Sequence, residues 1–222
     1  HGRSPSWESE DSMPKGSEEL TNARKEEIIG ACAALYVTMS FKDITIRDIG
    51  AKTSFTRTSI YNYFQTKEEI FLALLQKEHE AWILDLEEMM KQNDSMSAEM
   101  FAGTMARILE KRRTMLRLLS MNIYDMEVNS RLENLVEFKR VYAEAFDTVG
   151  RSFEKFFPSM TKESIRQFLY AFFPFLFGVH PYTCHTEKQL EAMRIAGVED
   201  ADASVYELAE TFVFRMLKSF GQ

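Results

Sequence analysis

Residues 45–64 read TIRDIGAKTSFTRTSIYNYF, and this stretch carries most of the information on the fold. Thr45 followed three residues later by Asp48 resembles a capping box, which begins a helix. A short polar turn follows, and a threonine then caps a second helix over residues 56–63. The stretch therefore predicts two short helices joined by a tight turn.

The side chains of the second helix fall into two classes. Ile60 and Phe64 are apolar and are expected to pack inward, as Ile46 and Ile49 do on the first helix. The others are small, polar or aromatic, with a single arginine, Arg57. Such a surface can enter the major groove and form hydrogen bonds with base edges and phosphates. The alternative is that the aromatic side chains belong to the core of a plain helical bundle.

A further helix start follows at once. Residues 65–70 read QTKEEI, in which Thr66 is the expected cap and Glu69 completes a capping box. Lys67 and the free backbone amides at this helix end can bind a phosphate. A long amphipathic helix is then predicted to about Met90.

These segments together resemble the N-terminal domain of TetR-type (tetracycline-repressor-like) regulators over about residues 22–75. The resemblance implies an all-α homodimer, with an N-terminal three-helix helix-turn-helix domain and a C-terminal helical bundle for ligand binding and dimerisation. The implied partner is a pseudo-palindromic double-stranded DNA operator, and the usual role is that of a repressor.

The resemblance also implies which residues contact DNA. The positions that correspond to base-reading or groove-lining residues are Arg47, Arg57, Thr58, Ser59 and Tyr61. The positions that correspond to phosphate contacts are Thr45, Tyr63 and Lys67. Thr56, the expected cap of the recognition helix, is also predicted to belong to the DNA-binding surface.

Two positions depart from the family pattern. Ser40 and Ser54 stand where the family usually has glycine. A left-handed backbone conformation at a residue other than glycine costs about 1 kcal/mol. We therefore expect local strain at both serines.

The charge distribution agrees with a DNA-binding N-terminal part. The chain of 222 residues has a net charge of −7, but residues 21–67 hold seven basic and four acidic side chains. Residues 1–20 and 68–222 are both net acidic. A local basic patch can serve phosphates even in an acidic chain.

Several classes of protein are not supported. The longest uncharged apolar run, residues 168–179, is too short to span a bilayer, and two cysteines make no disulfide framework. We therefore expect a cytoplasmic protein with no membrane association. No phosphate loop, nucleophile elbow or zinc-protease motif indicates a catalytic site or a cofactor. His180, Cys184 and His185 match no four-ligand zinc pattern, so no metal is expected, and Pro181 predicts a turn between His180 and Cys184.

The predicted organisation has three parts. Residues 1–20 are rich in Ser and Glu and are expected to be a tail that is disordered or derived from an expression vector, with Met13 as a potential native start. Residues 21–67 form the helix-turn-helix domain. Residues 68–222 form the C-terminal domain for effector binding and dimerisation.

The C-terminal part is rich in methionine and aromatic side chains. Eight of the thirteen methionines lie between Met89 and Met126, which indicates either an adaptable pocket or a methionine-filled core. The pocket hypothesis predicts a small lipophilic or aromatic effector surrounded by Trp82, Leu86, Met89, Phe101, Met105, Met115, Phe138, Tyr142 and Phe146.

Two helices, near residues 161–179 and 204–220, are apolar on more than one side. Such helices must be buried on most sides, and a second subunit is the expected cover for one face. The predicted dimer interface consists of Ile165, Phe168, Phe172, Leu176, Leu208, Phe212 and Met216.

The leading hypothesis is thus a DNA-binding repressor that a small lipophilic effector releases from its operator. One alternative is a DNA-binding regulator without such an effector, controlled by a protein partner. Another is a helical interaction module that has lost DNA binding.

Overall fold

A computed structural model describes residues 15–222, and all regular secondary structure in this part of the chain is helical, as predicted. The chain divides into two compact units between Gln65 and Thr66. The first unit contains α1 (Lys15–Tyr36), α2 (Ile46–Ala51) and α3 (Arg57–Ile60). The second contains α4 (Lys67–Gln92), α5 (Ala98–Lys111), α6 (Arg113–Met121), α7 (Ile123–Val128), α8 (Leu132–Phe156), α9 (Lys162–Thr183), α10 (Glu187–Ala196) and α11 (Val205–Ser219).

Helix α1 begins earlier than the sequence predicted. The expected tail over residues 1–20 is wrong for residues 15–20, which are helical, and the rest of that prediction, including Met13, lies outside the described residues. The physical reason is that Lys, Glu and Leu in this segment are good helix formers. Glu18 also stands in the first turn, where a negative charge is favourable.

In the first unit, α2 and α3 approach each other closely at Gly50. A Cβ atom at this position would lie 3.4 Å from Ile60 Cδ1 and 3.5 Å from Arg57 Cα. Ile49 and Ile60 are fully buried beside it, together with Ile28 of α1. These distances are ordinary van der Waals spacings, so α2 and α3 are closely packed at this position.

The strain expected at Ser40 and Ser54 is absent. In the described part of the chain, Asp202 is the one residue other than glycine with a positive φ, at 44°. The amide and hydroxyl of Ser54 donate to the two carboxylate oxygens of Glu27, at 2.5 and 3.1 Å. The Ser40 hydroxyl donates to Asp43 Oδ2 at 2.6 Å. Polar side chains thus stabilise both turns without left-handed backbone.

In the second unit, α4 packs against α8, α5 against α11, and α6 against α9. Large aromatic side chains fill the space between these helices. The fully buried ones are Trp82, Phe71, Phe101, Phe138, Phe153, Phe168 and Phe172. None of the helices within residues 15–222 has the length and apolar character needed to cross a membrane.

The start of α4 is tied to the α7–α8 junction by a group of contacts that we call the α4 clamp: Thr66, Glu69, Asn129 and Arg131. Glu69 is 1% exposed, and its carboxylate accepts hydrogen bonds from Arg131 Nε at 2.8 Å, Nη2 at 3.0 Å and the backbone N–H at 3.0 Å. The Thr66 hydroxyl donates to the Asn129 carbonyl at 3.0 Å. A carboxylate buried in this way depends on its donors, because an unpaired buried charge is strongly destabilising.

Helix α9 corrects two sequence-based predictions. It continues through Pro181 to Thr183, so the predicted turn after His180 is wrong. Near a helix end a proline removes few hydrogen bonds. The Thr183 hydroxyl also donates to the carbonyls of Val179 and His180, both at 3.2 Å.

The second correction concerns the dimer interface. Four of its predicted residues are buried inside the subunit, so they do not face a partner: Ile165, Phe168, Phe172 and Leu176. The reason is that α6, α8 and α11 of the same chain cover this side of α9. The three predicted residues on α11 are partly exposed: Leu208, Phe212 and Met216.

His79 is buried in the aromatic core of the second unit. Its Nδ1 lies 2.8 Å from the Leu75 carbonyl oxygen and therefore donates to it. The ring contacts Trp82, Phe138 and Tyr142 at centroid distances of 5.5 to 6.2 Å. Burial lowers the pKa of His79 to about 4, and the positive charge of Lys139 adds to the effect.

This burial predicts a pH-dependent stability. Because the folded-state pKa lies below the unfolded value of 6.5, the unfolded chain binds the proton first as the pH falls. When the pH falls from 7.5 to 5, protonation of His79 in the unfolded chain should lower the free energy of unfolding by about 2 kcal/mol. Urea unfolding at both pH values should show a smaller decrease in the free energy of unfolding for His79→Leu than for the wild type. Equal losses in the two proteins would contradict the buried, neutral histidine.

Candidate nucleic-acid interface and ligand groove

Helix α3 and the turn after it present the predicted recognition residues. The helix is shorter than the predicted residues 56–63, because α3 ends at Ile60 and residues 61–63 form a turn with i→i+3 hydrogen bonds. Arg57 and Thr58 are exposed, Tyr61 is 44% exposed and Ser59 is half-buried. The polar surface of this segment is thus available, while Ile60 faces the core.

Arg57 and Tyr61 form a pair on this surface. Arg57 Nη2 lies 3.4 Å from the Tyr61 hydroxyl, and the guanidinium lies 6.0 Å from the ring centroid. This contact orients the five N–H donors of the arginine before any ligand is present. A guanidinium held in this way suits bidentate contact with a guanine edge or a phosphate.

Tyr63 is arranged differently from Tyr61. It is half-buried, its ring lies 6.4 Å from that of Phe55, and its hydroxyl accepts a hydrogen bond from Arg24 Nη1 at 3.2 Å. Arg24 on α1 was not predicted as a site residue. The only signal for it in the sequence is its place in the basic stretch over residues 21–67.

Two of the three threonines predicted to contact DNA, Thr45 and Thr56, are helix caps. The Thr45 hydroxyl accepts from the Asp48 amide at 3.1 Å, and the Thr45 amide donates to Asp48 Oδ2 at 2.9 Å. Hydrogen bonds from Thr45 lower the pKa of Asp48, so this carboxylate stays ionised. Thr56 caps α3 by accepting from the Ser59 amide at 3.4 Å.

The two remaining predicted residues lie on different units. Arg47 is exposed on α2 of the first unit. Lys67 is half-buried and is the first residue of α4, in the second unit.

The second unit contains a groove between α8 and α9 with a volume of about 430 Å³. Two of the predicted effector residues, Tyr142 and Phe146, line it. The other seven are buried side chains and are not part of its lining: Trp82, Leu86, Met89, Phe101, Met105, Met115 and Phe138. Sequence reasoning missed Ala143, Leu169, Tyr170, Phe173 and Pro174, which complete the lining.

The groove walls carry almost no polar groups. The phenol oxygens of Tyr142 and Tyr170 are the polar side-chain atoms among the lining residues. Burial is the main cause of a raised pKa at Tyr142, so this phenol stays neutral. Such an apolar concave surface of this volume is the usual form of a small-molecule site.

A second, open groove runs along α11, with a volume of about 460 Å³. Its apolar residues are Leu208, Phe212 and Met216. Phe212 stacks on Phe175 of α9 at a centroid distance of 4.2 Å, so the two helices form one continuous apolar surface.

Two family models match the chain. Residues 28–74 match bacterial regulatory proteins of the tetR family, and residues 76–212 match the tetracyclin repressor-like C-terminal domain. No curated protein sequence matches the chain.

Solved structures share the fold. The fatty acid degradation regulator FadR from Bacillus halodurans is 12% identical with a TM-score of 0.58, covering 87% of this chain and 94% of its own. FadR from Bacillus subtilis in complex with stearoyl-CoA is 13% identical with a TM-score of 0.57, covering 86% and 96%. The MbdR regulator from Azoarcus sp. CIB is 18% identical with a TM-score of 0.55, also covering 86% and 96%.

The two family matches together cover most of the chain, including the α2–α3 segment and the α8–α9 groove. The chain therefore belongs to the tetR family of bacterial regulatory proteins and is a DNA-binding transcriptional regulator.

Proposed function

We propose that this protein is a cytoplasmic repressor that binds a pseudo-palindromic operator as a homodimer and leaves it when a small lipophilic ligand occupies the α8–α9 groove. The observation that carries the proposal is the exposed Arg57–Tyr61 pair: Arg57 begins α3, Tyr61 directly follows it, and Ile60 between them is buried. A polar and aromatic surface on a short helix that is held by its buried side suits base reading in the major groove.

The DNA contacts divide by chemistry. Arg57, Thr58 and Tyr61 are exposed at α3 and the following turn, and they are the proposed base-reading group. Arg47 and Arg24 add positive charge in the same unit, and Lys67 adds charge at the start of α4. We propose that these three basic side chains bind phosphates. Phosphate contacts increase the affinity for DNA without preference for a sequence.

Ligand control is supported by the groove and by the α4 clamp. Tyr142 and Phe146 lie on α8, and the residue before this helix, Arg131, holds Glu69 near the start of α4. Helix α4 directly follows the DNA-binding unit in the chain. A ligand that shifts α8 thus acts on the helix next to that unit. Tenfold release needs about 1.4 kcal/mol of preference for the DNA-free arrangement.

The solved relatives give a precedent for ligands in this fold. The Bacillus subtilis FadR structure contains stearoyl-CoA, whose stearoyl chain is lipophilic. RolR, which is 17% identical to this chain with a TM-score of 0.50, was solved with resorcinol, an aromatic molecule. These ligands belong to those proteins, and here they support only the general class of small lipophilic effectors.

The homodimer is proposed through the outer surface of α9 and α11. Helix α9 contributes the half-buried Phe175 and the exposed Gly178 to this surface, and α11 contributes the half-buried Leu208 and Met216. These side chains are mostly uncharged, and the Phe175–Phe212 stack joins the two helices into one face. Two copies of this face would form an isologous four-helix bundle.

Two substitutions separate base reading from phosphate binding. On an operator obtained by selection, Arg57→Ala should lose roughly 1–3 kcal/mol of discrimination at particular base pairs. Lys67→Ala should weaken binding to all duplexes alike. It should also reduce the slope of log K against log salt concentration by about one, because one counterion fewer is released on binding. Fluorescence anisotropy over a series of salt concentrations and single-base operator variants measures both effects.

The wild type on a scrambled duplex is the reference for non-specific binding. If Arg57→Ala discriminated between base pairs as the wild type does at every operator position, α3 would not read bases through Arg57. An unchanged salt slope in Lys67→Ala would remove the phosphate contact at α4.

The dimer proposal predicts the effect of charge on α11. Leu208→Glu combined with Met216→Glu should give a folded monomer, because four carboxylates would meet in the apolar bundle without partners. Sedimentation velocity at micromolar concentration measures the mass, and circular dichroism monitors the fold. Leu84→Glu, at an exposed leucine on α4 that is 66% accessible, is the matched control and should remain dimeric. A double variant that sediments like the wild-type dimer would contradict this interface.

A further inference from the structure

We propose that the α8–α9 groove takes an uncharged aromatic ligand whose oxygen accepts a hydrogen bond from the indole N–H of Trp82. This inference rests on the proposed ligand-responsive function and specifies the chemistry of the ligand. The observation behind it is that Trp82 is fully buried and that its Nε1 has no hydrogen-bond acceptor among the described residues.

A buried donor without an acceptor is rare in native proteins, because it loses its hydrogen bonds to water and gains none in return. Buried tryptophans usually find a partner for the N–H group. A phenylalanine would supply an aromatic core side chain here with no donor to satisfy. An indole N–H group at this buried position is therefore explained if a bound ligand supplies the hydrogen-bond acceptor.

Phe173 connects Trp82 to the groove. Its ring lies 5.7 Å from that of Trp82, and it also lines the groove, where it contacts Phe146 at 4.9 Å and Tyr142 at 5.5 Å. The Trp82 ring is thus one aromatic layer away from the groove. A displacement of the Phe173 ring joins the groove to the indole.

The backbone next to Phe173 favours such a displacement. Pro174 lies inside α9 and lines the same groove. A proline has no N–H, so the hydrogen bond that position 174 would give to the Tyr170 carbonyl is missing. Helices bend most easily at such points. Phe173 therefore lies in one of the two turns of α9 that a proline weakens.

The side chains that line the α8–α9 groove indicate the chemical class of the ligand. Phe146, Phe173, Tyr142 and Tyr170 present aromatic rings to the groove, which favours ring stacking and edge contacts with a planar ligand. The nearest cations are already paired. Lys139 contacts the Glu127 carboxylate, and Arg166 donates to Glu163 at 3.0 Å. A charged ligand would gain little there, so the ligand is neutral and carries a hydrogen-bond acceptor.

A matched pair of probes tests this chemistry. Benzophenone and 1,1-diphenylethylene have nearly the same shape, but only the first has a carbonyl oxygen. The full-length dimer should bind benzophenone about fivefold to tenfold more tightly, the value of one net hydrogen bond. Isothermal titration calorimetry gives both dissociation constants. Equal affinities for the two probes, or no binding of either one, would overturn the inference.

Two kinds of variant assign the donor. Trp82→Phe removes the N–H group, so the preference for benzophenone should disappear while 1,1-diphenylethylene still binds. Tyr142→Phe and Tyr170→Phe remove the groove phenols, so they should change both affinities together and keep their ratio. A preference that survives in Trp82→Phe but is lost in a tyrosine variant would assign the donor to a phenol and refute the proposal.

A second measurement leaves Trp82 in place. The sequence has one other tryptophan, Trp7, so Trp7→Phe makes the indole N–H of Trp82 the sole such resonance of ¹⁵N-tryptophan-labelled protein. Benzophenone should move this resonance downfield and 1,1-diphenylethylene should not. An unmoved resonance with bound benzophenone also refutes the proposal. Operator binding without either probe is measured in parallel. If it persists while the probe tests fail, the ligand class is wrong and the proposed repressor function stands.

Discussion

The burial of Ile60 is the constraint on which the DNA-binding surface depends. Ile60 is the one buried side chain of a helix of four residues, and it packs where α3 approaches Gly50 of α2. A helix this short has little stability of its own, because helix nucleation is costly and most helical stability comes from packing. Burial of Ile60 therefore fixes the rotation of α3, and that rotation leaves Arg57, Thr58 and Tyr61 exposed.

In the second unit a buried ion pair has a comparable role. The Glu69 carboxylate accepts three hydrogen bonds from Arg131, so the start of α4 and the start of α8 are held together. The same α8 helix carries Tyr142 and Phe146 in the groove, and α4 follows the DNA-binding unit in the chain. The groove, the α4 clamp and the chain order together give the proposed ligand control a physical route.

The sequence was sufficient where short-range chemistry decides the structure. The caps at Thr45, Thr56 and Thr66 and the inward-facing Ile60 follow from local spacing, and the structure has each of them. It was insufficient where long-range contacts decide. The Glu27 carboxylate that stabilises the turn at Ser54 lies 27 residues away. Helix α9 is apolar on most sides, so its pattern does not tell which face packs on α6 and α8 and which face is left outside. For that reason Phe168 and Phe172 were assigned to the dimer but lie in the core.

The central claim is that two copies of the α2–α3 segment read one operator together. Selection of bound duplexes from a random-sequence pool by the wild-type protein, followed by sequencing, tests it most directly. We expect enrichment of an inverted repeat whose half-site centres lie about one helical turn apart or somewhat more, as two recognition helices of a two-fold dimer require. Enrichment of a single unrepeated motif, or no enrichment over the starting pool, would contradict it.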